Sequence, residues 1–127
     1  DMIRMMRCPV KTICTSLAAS MGSIIYLAAD RENRLMLPNA RLMIHDPAYG
    51  GNHDIAHRKP HEIQSDLDEL NKCREKLLSI IVERTGKTRR QIAKLTKTDS
   101  YFDVDEAVKL GLTNGPADYS DLFGALN

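Results

Sequence analysis

The chain is organised around the segment Thr15-Ser16-Leu17-Ala18-Ala19-Ser20-Met21-Gly22-Ser23, which lies between two apolar runs. The run before it, Val10 to Cys14, contains β-branched residues and predicts a strand. The run after it, Ser23 to Ala29, is too apolar for a surface element and predicts a buried helix. Ser20 is therefore expected at the junction where a strand turns into a helix.

Ser20 has two possible roles at this junction. The first amides of the helix, those of Met21 and Gly22, have no intrahelical acceptor and can hold an oxyanion beside the serine hydroxyl. In that setting a serine can act as an acyl-transfer nucleophile. A serine at the start of a helix is more commonly an N-cap, and this stretch alone does not distinguish the two roles.

The composition limits the class of protein. With 127 residues and a formal net charge of +1, the chain can form one domain with a sizeable core and does not indicate a nucleic-acid partner. No apolar run is long enough to predict a membrane span. Cys8, Cys14 and Cys73 lack metal-ligand spacing and fit reduced core thiols of a cytosolic or organelle-matrix protein.

The longest predicted element runs from Pro60 to Arg84 and carries its apolar residues on one face. Such a helix would be roughly 37 Å long at about 1.5 Å per residue, which is long for so small a chain. We therefore expect it to protrude and to pack on a partner subunit. Further strands are predicted at 34–37, 41–45 and 112–113, further helices at 89–95 and 104–110, and a loosely held tail from Asn114 onward.

An acyl-transfer serine needs a histidine that accepts its proton and an acid that orients the histidine. His45 ends a predicted strand beside a loop that contains Pro47, a common place to present a side chain at a site. Asp99 lies in a predicted polar loop between two helices. By themselves these residues also fit a solvated histidine and an N-cap or solvated acid, and spacing does not decide because triads occur in several chain orders.

Three blocks of sequence share the pattern of one family. The blocks are Thr12-Ile13-Cys14 followed by Ala18-Ala19-Ser20-Met21-Gly22, then Leu37-Pro38-Asn39-Ala40-Arg41-Leu42-Met43-Ile44-His45-Asp46-Pro47, then Asp99 with Glu106-Ala107 and Gly111-Leu112. In this order they resemble the ClpP family of ATP-dependent serine peptidases across nearly the whole chain. The resemblance implies an α/β fold, a ClpP/crotonase-like spiral of β-β-α units with a protruding handle helix. It also implies one peptidase domain over residues 1–127 that lacks its N-terminal part, with a handle region at 48–86.

The same resemblance implies roles for single residues. Ser20 corresponds to the nucleophile, His45 to the general base and Asp99 to the acid that orients His45. The implied oxyanion donor is the amide of Met21, and the implied substrate-binding residues are Pro47, Gly50 and Gly51.

The resemblance implies no cofactor and no metal. The histidines His53, His57 and His61 are better explained as solvated side chains than as metal ligands, since they belong to a polar loop interrupted by Pro60. The sequence has no phosphate-binding G-x-x-x-x-G-K-[ST] motif, so any ATP chemistry is expected to belong to a partner.

The implied function is that of a serine endopeptidase subunit of a Clp-like ATP-dependent protease, which cleaves unfolded polypeptides inside an oligomeric chamber. The implied partners are copies of the chain or related subunits in a tetradecamer of two stacked rings, homomeric or mixed, and a separate AAA+ unfoldase. Neither nucleic acid nor membrane is implied. The expected location is cytoplasmic, with the plastid stroma or the mitochondrial matrix as alternatives.

The sequence departs from the family pattern at several positions. Asp46 stands where the family usually has Gln, and Thr98 stands where it has an Arg that helps to link subunits. The family's upstream Gly-Gly-Ser segment, which supplies a second oxyanion donor, is absent, and losing one donor costs about 10²–10³ in rate. We therefore expect these residues alone to hydrolyse peptides poorly. Two alternatives stay open, a non-catalytic structural ring subunit and a crotonase-like acyl-CoA enzyme.

Overall fold

The computed structural model describes residues 1–50 and 54–124 of the chain. Gly51 and His53 lie outside the described residues, so the prediction that Gly51 binds substrate is not addressed by the structure.

The described strands form two three-stranded sheets, ordered β1-β3-β6 and β2-β4-β5. All pairs are parallel except β4 with β5, which is antiparallel. The strands are β1 Thr12–Cys14, β2 Leu17–Ala19, β3 Arg34–Met36, β4 Arg41–Ile44, β5 Ser100–Phe102 and β6 Gly115–Pro116.

The described helices connect and cover these sheets. They are α1 Met21–Tyr26, α2 Pro60–Thr85, α3 Arg89–Thr96, α4 Val104–Leu110 and α5 Tyr119–Phe123. Two 3-10 turns, Ile3–Met5 and Arg31–Asn33, complete the regular structure in the described part of the chain.

The chain repeats a strand-strand-helix unit. The first unit is β1-β2-α1 and the second is β3-β4-α2, and equivalent strands pair in parallel, with Thr12 opposite Arg34 and Leu17 opposite Arg41. Each unit therefore adds one strand to each sheet, which produces a spiral of β-β-α units.

The long helix is only partly covered by the rest of the chain. It begins at Pro60, a favourable first helical residue, and ends before Gly86, whose φ of 69° suits a left-handed stop. In its C-terminal half Leu78 and Ile81 are buried, whereas in its N-terminal half Leu67 is 48% exposed. The first half of α2 thus presents apolar side chains that the described residues leave exposed.

Several elements differ from the sequence-based predictions. Strand β2 occupies residues for which no element was predicted, because Ala-rich Leu17–Ala19 has weak strand propensity and is extended by pairing with β4. Strand β5 likewise occupies part of a predicted loop. The last strand lies at Gly115–Pro116 and not at residues 112–113, which are buried but form no strand.

The predicted end of the buried helix and the predicted loosely held tail also differ from the structure. Helix α1 ends at Tyr26, although the buried apolar run continues through Ala29. The tail is not loosely held throughout, because it contains α5, whose N-cap Asp118 accepts a hydrogen bond from the amide of Ser120 at 2.8 Å. Lys11 also bonds Asp121 at 2.8 Å.

All three cysteines are free thiols, but only one of them is a core residue, as the sequence predicted for all three. Cys14 is buried in the core, whereas Cys8 and Cys73 are exposed. Cys73 fits the apolar stripe of α2 by spacing, yet it faces the cavity described below and not the core.

Candidate active site

Ser20 lies at a sharp turn between β2 and α1. Its φ of 55° and ψ of −121° are a conformation that residues with a Cβ rarely adopt. Its amide donates to the carbonyl of Met43 on β4 at 3.0 Å, and its side chain makes no N-cap hydrogen bond to α1. Ser20 therefore occupies the N-cap position of α1 without capping the helix through its side chain, and its hydroxyl is left available for another partner.

Ser23, three residues further on, makes hydrogen bonds on both sides of this turn. Its side chain is buried, and its Oγ lies 2.8 Å from the carbonyl oxygen of Ala18 and 2.6 Å from that of Met43. One hydroxyl thus joins α1 to both β2 and β4. Ser23 was not predicted as a functional residue, and the one signal in the sequence is its position about one helical turn after Ser20.

His45 follows the last residue of β4 and reaches Ser20 from 25 positions away in sequence. Its Nε2 lies 2.7 Å from the Oγ of Ser20, which is hydrogen-bond distance. The parallel pairing of β2 with β4 brings the ends of the two strands together, because Ala19 lies opposite Met43. The hydroxyl and the imidazole therefore meet beyond the C-terminal ends of two neighbouring strands of one sheet.

Asp99 is brought to the other side of His45 by the pairing of β4 with β5. Ser100 lies opposite Ile44 in that antiparallel pair, so the next residues outward, Asp99 and His45, are neighbours. Asp99 Oδ1 lies 3.7 Å from His45 Nδ1, close enough for an ion pair but longer than a hydrogen bond. The Asp99 side chain is 64% exposed, whereas that of His45 is 24% exposed.

A cavity of about 200 Å³ opens beside the hydroxyl of Ser20. Its walls are mostly apolar and come from α1, from the loop after β4 and from the middle of α2. The lining residues other than Ser20 and His45 are Met21, Ile24, Ile44, Pro47, Ala48, Cys73, Leu77 and Ile81.

The remaining predicted residues lie at different distances from this cavity. Met21 is the first residue of α1, so its amide has no intrahelical acceptor, and its side chain lines the cavity. Pro47 also lines the cavity, whereas Gly50 is in the exposed part of the loop. Cys73 and Leu77 also line the cavity, although neither was predicted as a site residue.

The part of the chain that the structure describes offers neither a metal-binding cluster nor a membrane-spanning helix. Within residues 1–50 and 54–124, no three His, Cys, Asp or Glu side chains are grouped as a metal ion would require. His57 and His61, two of the histidines weighed as ligands, are exposed. In the same ranges, no helix combines the length and apolar character needed to cross a membrane.

Comparison with known proteins connects this geometry to a family. A family model described as Clp protease matches residues 1–116. The chain belongs to the Clp protease family. Clp relatives include the ATP-dependent Clp protease proteolytic subunit 1 of Chlamydia muridarum, 36% identical over 115 residues, and that of Chlamydia abortus, 38% identical over 120 residues. These alignments cover 91% of this chain and 58% of each relative, so the chain spans somewhat over half the length of those Clp subunits.

A solved Clp structure agrees with the architecture described above. The ClpP1 N165D mutant from Listeria monocytogenes superposes with a TM-score of 0.81 at 37% sequence identity, covering 95% of this chain and 64% of that protein. The mixed α/β spiral with one long helix is thus the ClpP fold, which is crotonase-like. The predicted family and fold class are both confirmed.

Proposed function

We propose that this chain carries the catalytic residues of a serine endopeptidase subunit of a Clp-type protease. Ser20 is the nucleophile, His45 the general base, and Asp99 the acid that orients His45. The observation that carries the proposal is the 2.7 Å contact between the hydroxyl of Ser20 and Nε2 of His45, made at a strained turn beside an apolar cavity.

The proposed reaction is acyl transfer in two stages. Ser20 Oγ attacks the peptide carbonyl carbon while its proton passes to His45 Nε2, and the amide of Met21 donates to the oxyanion. Collapse of the tetrahedral intermediate breaks the C–N bond, and His45 gives the proton to the departing amine. Water, deprotonated by His45, then hydrolyses the acyl-enzyme and restores Ser20.

Asp99 acts on His45 in both stages. The imidazolium that forms after proton transfer is stabilised by a carboxylate on its Nδ1 side. The separation of 3.7 Å closes to a hydrogen bond by a small movement of the exposed Asp99 side chain. Catalytic hydrogen bonds are often long in the absence of substrate and shorten when it binds.

The cavity favours polypeptide substrates with an apolar side chain next to the scissile bond. Its volume of about 200 Å³ can hold one side chain, and Ile24, Leu77 and Ile81 form apolar walls. A charged side chain placed against these walls would lose its hydration without gaining an ion-pair partner from them. Unfolded polypeptides are the substrates we propose, since an extended chain can place one side chain in the cavity while its backbone passes Pro47.

The proposed assembly is an oligomeric ring complex that receives substrate from a separate AAA+ unfoldase. Two observations support it, the uncovered apolar side chains of α2 and the relatives' description as proteolytic subunits of an ATP-dependent protease. The tetradecamer, its homomeric or mixed composition and a cytoplasmic location stay predictions from the sequence.

Labelling with a fluorophosphonate tests the proposed function in the full chain. We expect a covalent adduct on Ser20, none in Ser20→Ala, and labelling slowed by about 10²-fold or more in Asp99→Asn, because the amide cannot stabilise the imidazolium. Peptide hydrolysis should fall in the same order. An intact ring without an adduct would favour the structural subunit, and binding of coenzyme A would favour the acyl-CoA enzyme.

A further inference from the structure

The segment that follows His45 is fastened to the long helix at two places. We call residues 46–49 the strap. At its start, Arg74 Nε donates to Asp46 Oδ2 at 2.7 Å. At its end, the hydroxyl of Tyr49 donates to the carbonyl of Asp66 at 2.7 Å. Because Asp66 and Arg74 are about two helical turns apart, the strap lies along α2.

The backbone of Asp46 is restricted by further contacts besides the ion pair with Arg74. Its amide donates to the carbonyl of Thr96 at 2.6 Å, and the following Pro47 restricts its backbone to extended conformations. The residue before His45 is Ile44, buried in β4 and paired with Ser100. The backbone of His45 is thus fixed by the sheet on one side and by Asp46 on the other.

Arg74 connects α2 to this arrangement at the level of the cavity. Its neighbour Cys73 lines the cavity together with Ser20 and His45, so this turn of α2 faces the site. Arg74 also approaches Glu75 at 3.4 Å, a longer contact than the one to Asp46. The side chains of Arg74 and Asp46 are 34% and 29% exposed, and pairs with that much solvent contribute little to overall stability.

We propose that the Arg74–Asp46 ion pair positions His45 against Ser20, so that the hydrogen bond between hydroxyl and imidazole depends on where α2 lies. Arg74 and Asp46 are positioning residues, which act through His45 and touch no reacting atom. The catalytic consequence rests on the proposed peptidase function, whereas the effect on the placement of His45 does not.

The first measurement is the rate of fluorophosphonate labelling of Ser20 in the full chain. A misplacement of about 1 Å can cost 10²-fold in rate, so we expect labelling to slow by about tenfold or more in Arg74→Gln and in Asp46→Asn. Arg74→Lys keeps a cation within reach of Asp46 and should restore most of the rate. The matched control is Arg4→Gln, which removes another arginine contact to α2, that of Arg4 Nη2 with Glu83 at 2.7 Å, away from the site.

The second measurement does not depend on acylation. Diethyl pyrocarbonate modifies free imidazole nitrogens, and peptide mass spectrometry resolves His45 from the exposed His61, which serves as the internal reference. We expect His45 to react faster in Arg74→Gln and Asp46→Asn than in the unaltered protein, and at the original rate in Arg74→Lys and Arg4→Gln.

The two measurements separate the outcomes. Unchanged reactivity of His45 in both Arg74→Gln and Asp46→Asn overturns the positioning proposal, even where Ser20 is labelled normally. Faster reaction of His45 in those variants, with no labelling of Ser20 in the unaltered protein, supports the positioning proposal and removes the peptidase function. Asp46→Asn is nearly isosteric, so it answers the question should Arg74→Gln fail to fold.

Discussion

Ser20 keeps its positive φ because the residues around it hold the turn closed. The backbone of such a turn costs about 1–3 kcal/mol, which the surrounding contacts have to offset. The buried hydroxyl of Ser23 is the contact best placed to do so, since it links the carbonyls of Ala18 and Met43 directly under the turn. A side chain that never touches substrate thereby helps to define the nucleophile.

Ser23→Ala tests that dependence. The substitution leaves two carbonyl oxygens without this donor, so we expect the free energy of unfolding to fall by about 1–3 kcal/mol. Labelling of Ser20 by a fluorophosphonate should slow in parallel. Ser79→Ala is the control, because the Ser79 hydroxyl donates to the carbonyl of Glu75 on the exposed face of α2. Equal stability and equal labelling in the two variants would contradict the role given to Ser23.

Cys73 offers a chemical probe of the cavity. Its thiol is exposed and lines the cavity of about 200 Å³ beside Ser20. A maleimide adduct at this position occupies space that a substrate side chain needs, so we expect alkylation to raise the KM of an apolar peptide severalfold. Cys73→Ala should be insensitive to the reagent although Cys8 is still alkylated. Inhibition that persists in Cys73→Ala would place the effect elsewhere.

At the scale of secondary-structure elements, local signals and tertiary pairing contribute differently. Helix α4 has the predicted bounds because its ends are marked in sequence, with Asp103 accepting from the amide of Glu106 at 2.9 Å and Gly111 adopting a φ of 75°. A side chain at Gly111 would also meet the carbonyl oxygen of Thr85 at 2.6 Å. The Asp103 cap and the glycine stop are local signals, so the sequence is enough to predict where α4 begins and ends.

Strands β2 and β5 show where prediction from sequence stops. Each has three residues and no clear alternation of apolar and polar side chains, and each is extended because β4 pairs with it. These pairings bring Ser20 and Asp99 to opposite sides of His45. The identity of the site residues was therefore accessible through the family resemblance, whereas their distances depend on contacts that no short stretch encodes.

Tyr26 joins α1 to β3 and to the segment between α4 and β6, and it gives a pH-dependent test of these contacts. Its hydroxyl donates to the carbonyl of Leu35 at 3.0 Å and lies 2.7 Å from Thr113 Oγ1. Burial raises the pKa of Tyr26 to about 12 from an ordinary value near 10. The folded chain thus binds this proton more tightly than the unfolded chain, and the corresponding stability is present below about pH 10 and lost as pH rises toward 12.

Tyr26→Phe should lower the free energy of unfolding at neutral pH by about 1–2 kcal/mol, through the loss of one buried and one partly buried hydrogen bond. The difference between the two proteins should then shrink between pH 10 and 12, as measured by denaturant unfolding at each pH. Burial of nearby Arg34 lowers its pKa to about 10, but that residue is present in both proteins and its contribution largely cancels in the difference. A difference that stays constant across this range would contradict the assignment.

At the scale of the whole molecule, α2 divides into two parts with different surroundings. Leu78 and Ile81 pack in the core with α1 and the sheets, whereas Ile63 and Leu67 are 36% and 48% exposed. A half-exposed apolar stripe on a helix that extends from its own domain is the pattern expected for a surface that meets another subunit. The same helix contacts the strap after His45, so the proposed assembly surface and the site geometry share one element.

Leu67→Glu tests whether that surface holds the proposed assembly together. A carboxylate in an apolar contact between subunits must be desolvated, so we expect the assembly to dissociate at concentrations about tenfold or more above those of the unaltered protein. Sedimentation velocity on the full chain measures this directly. Gln64→Glu is the control, because it adds the same charge to the exposed part of α2 without replacing an apolar side chain and removes only the exposed hydrogen bond from Gln64 Nε2 to Asp68 Oδ1.

The subunit should keep its fold in both variants, since both positions are exposed and neither belongs to the core. Circular dichroism and the reactivity of His45 toward diethyl pyrocarbonate in the dissociated protein then show whether assembly itself maintains the site. Dissociation of Gln64→Glu to the same extent would assign the effect to charge alone. An unchanged assembly in Leu67→Glu would mean that subunits meet through a different face, because an apolar contact of this kind does not tolerate a buried unpaired carboxylate.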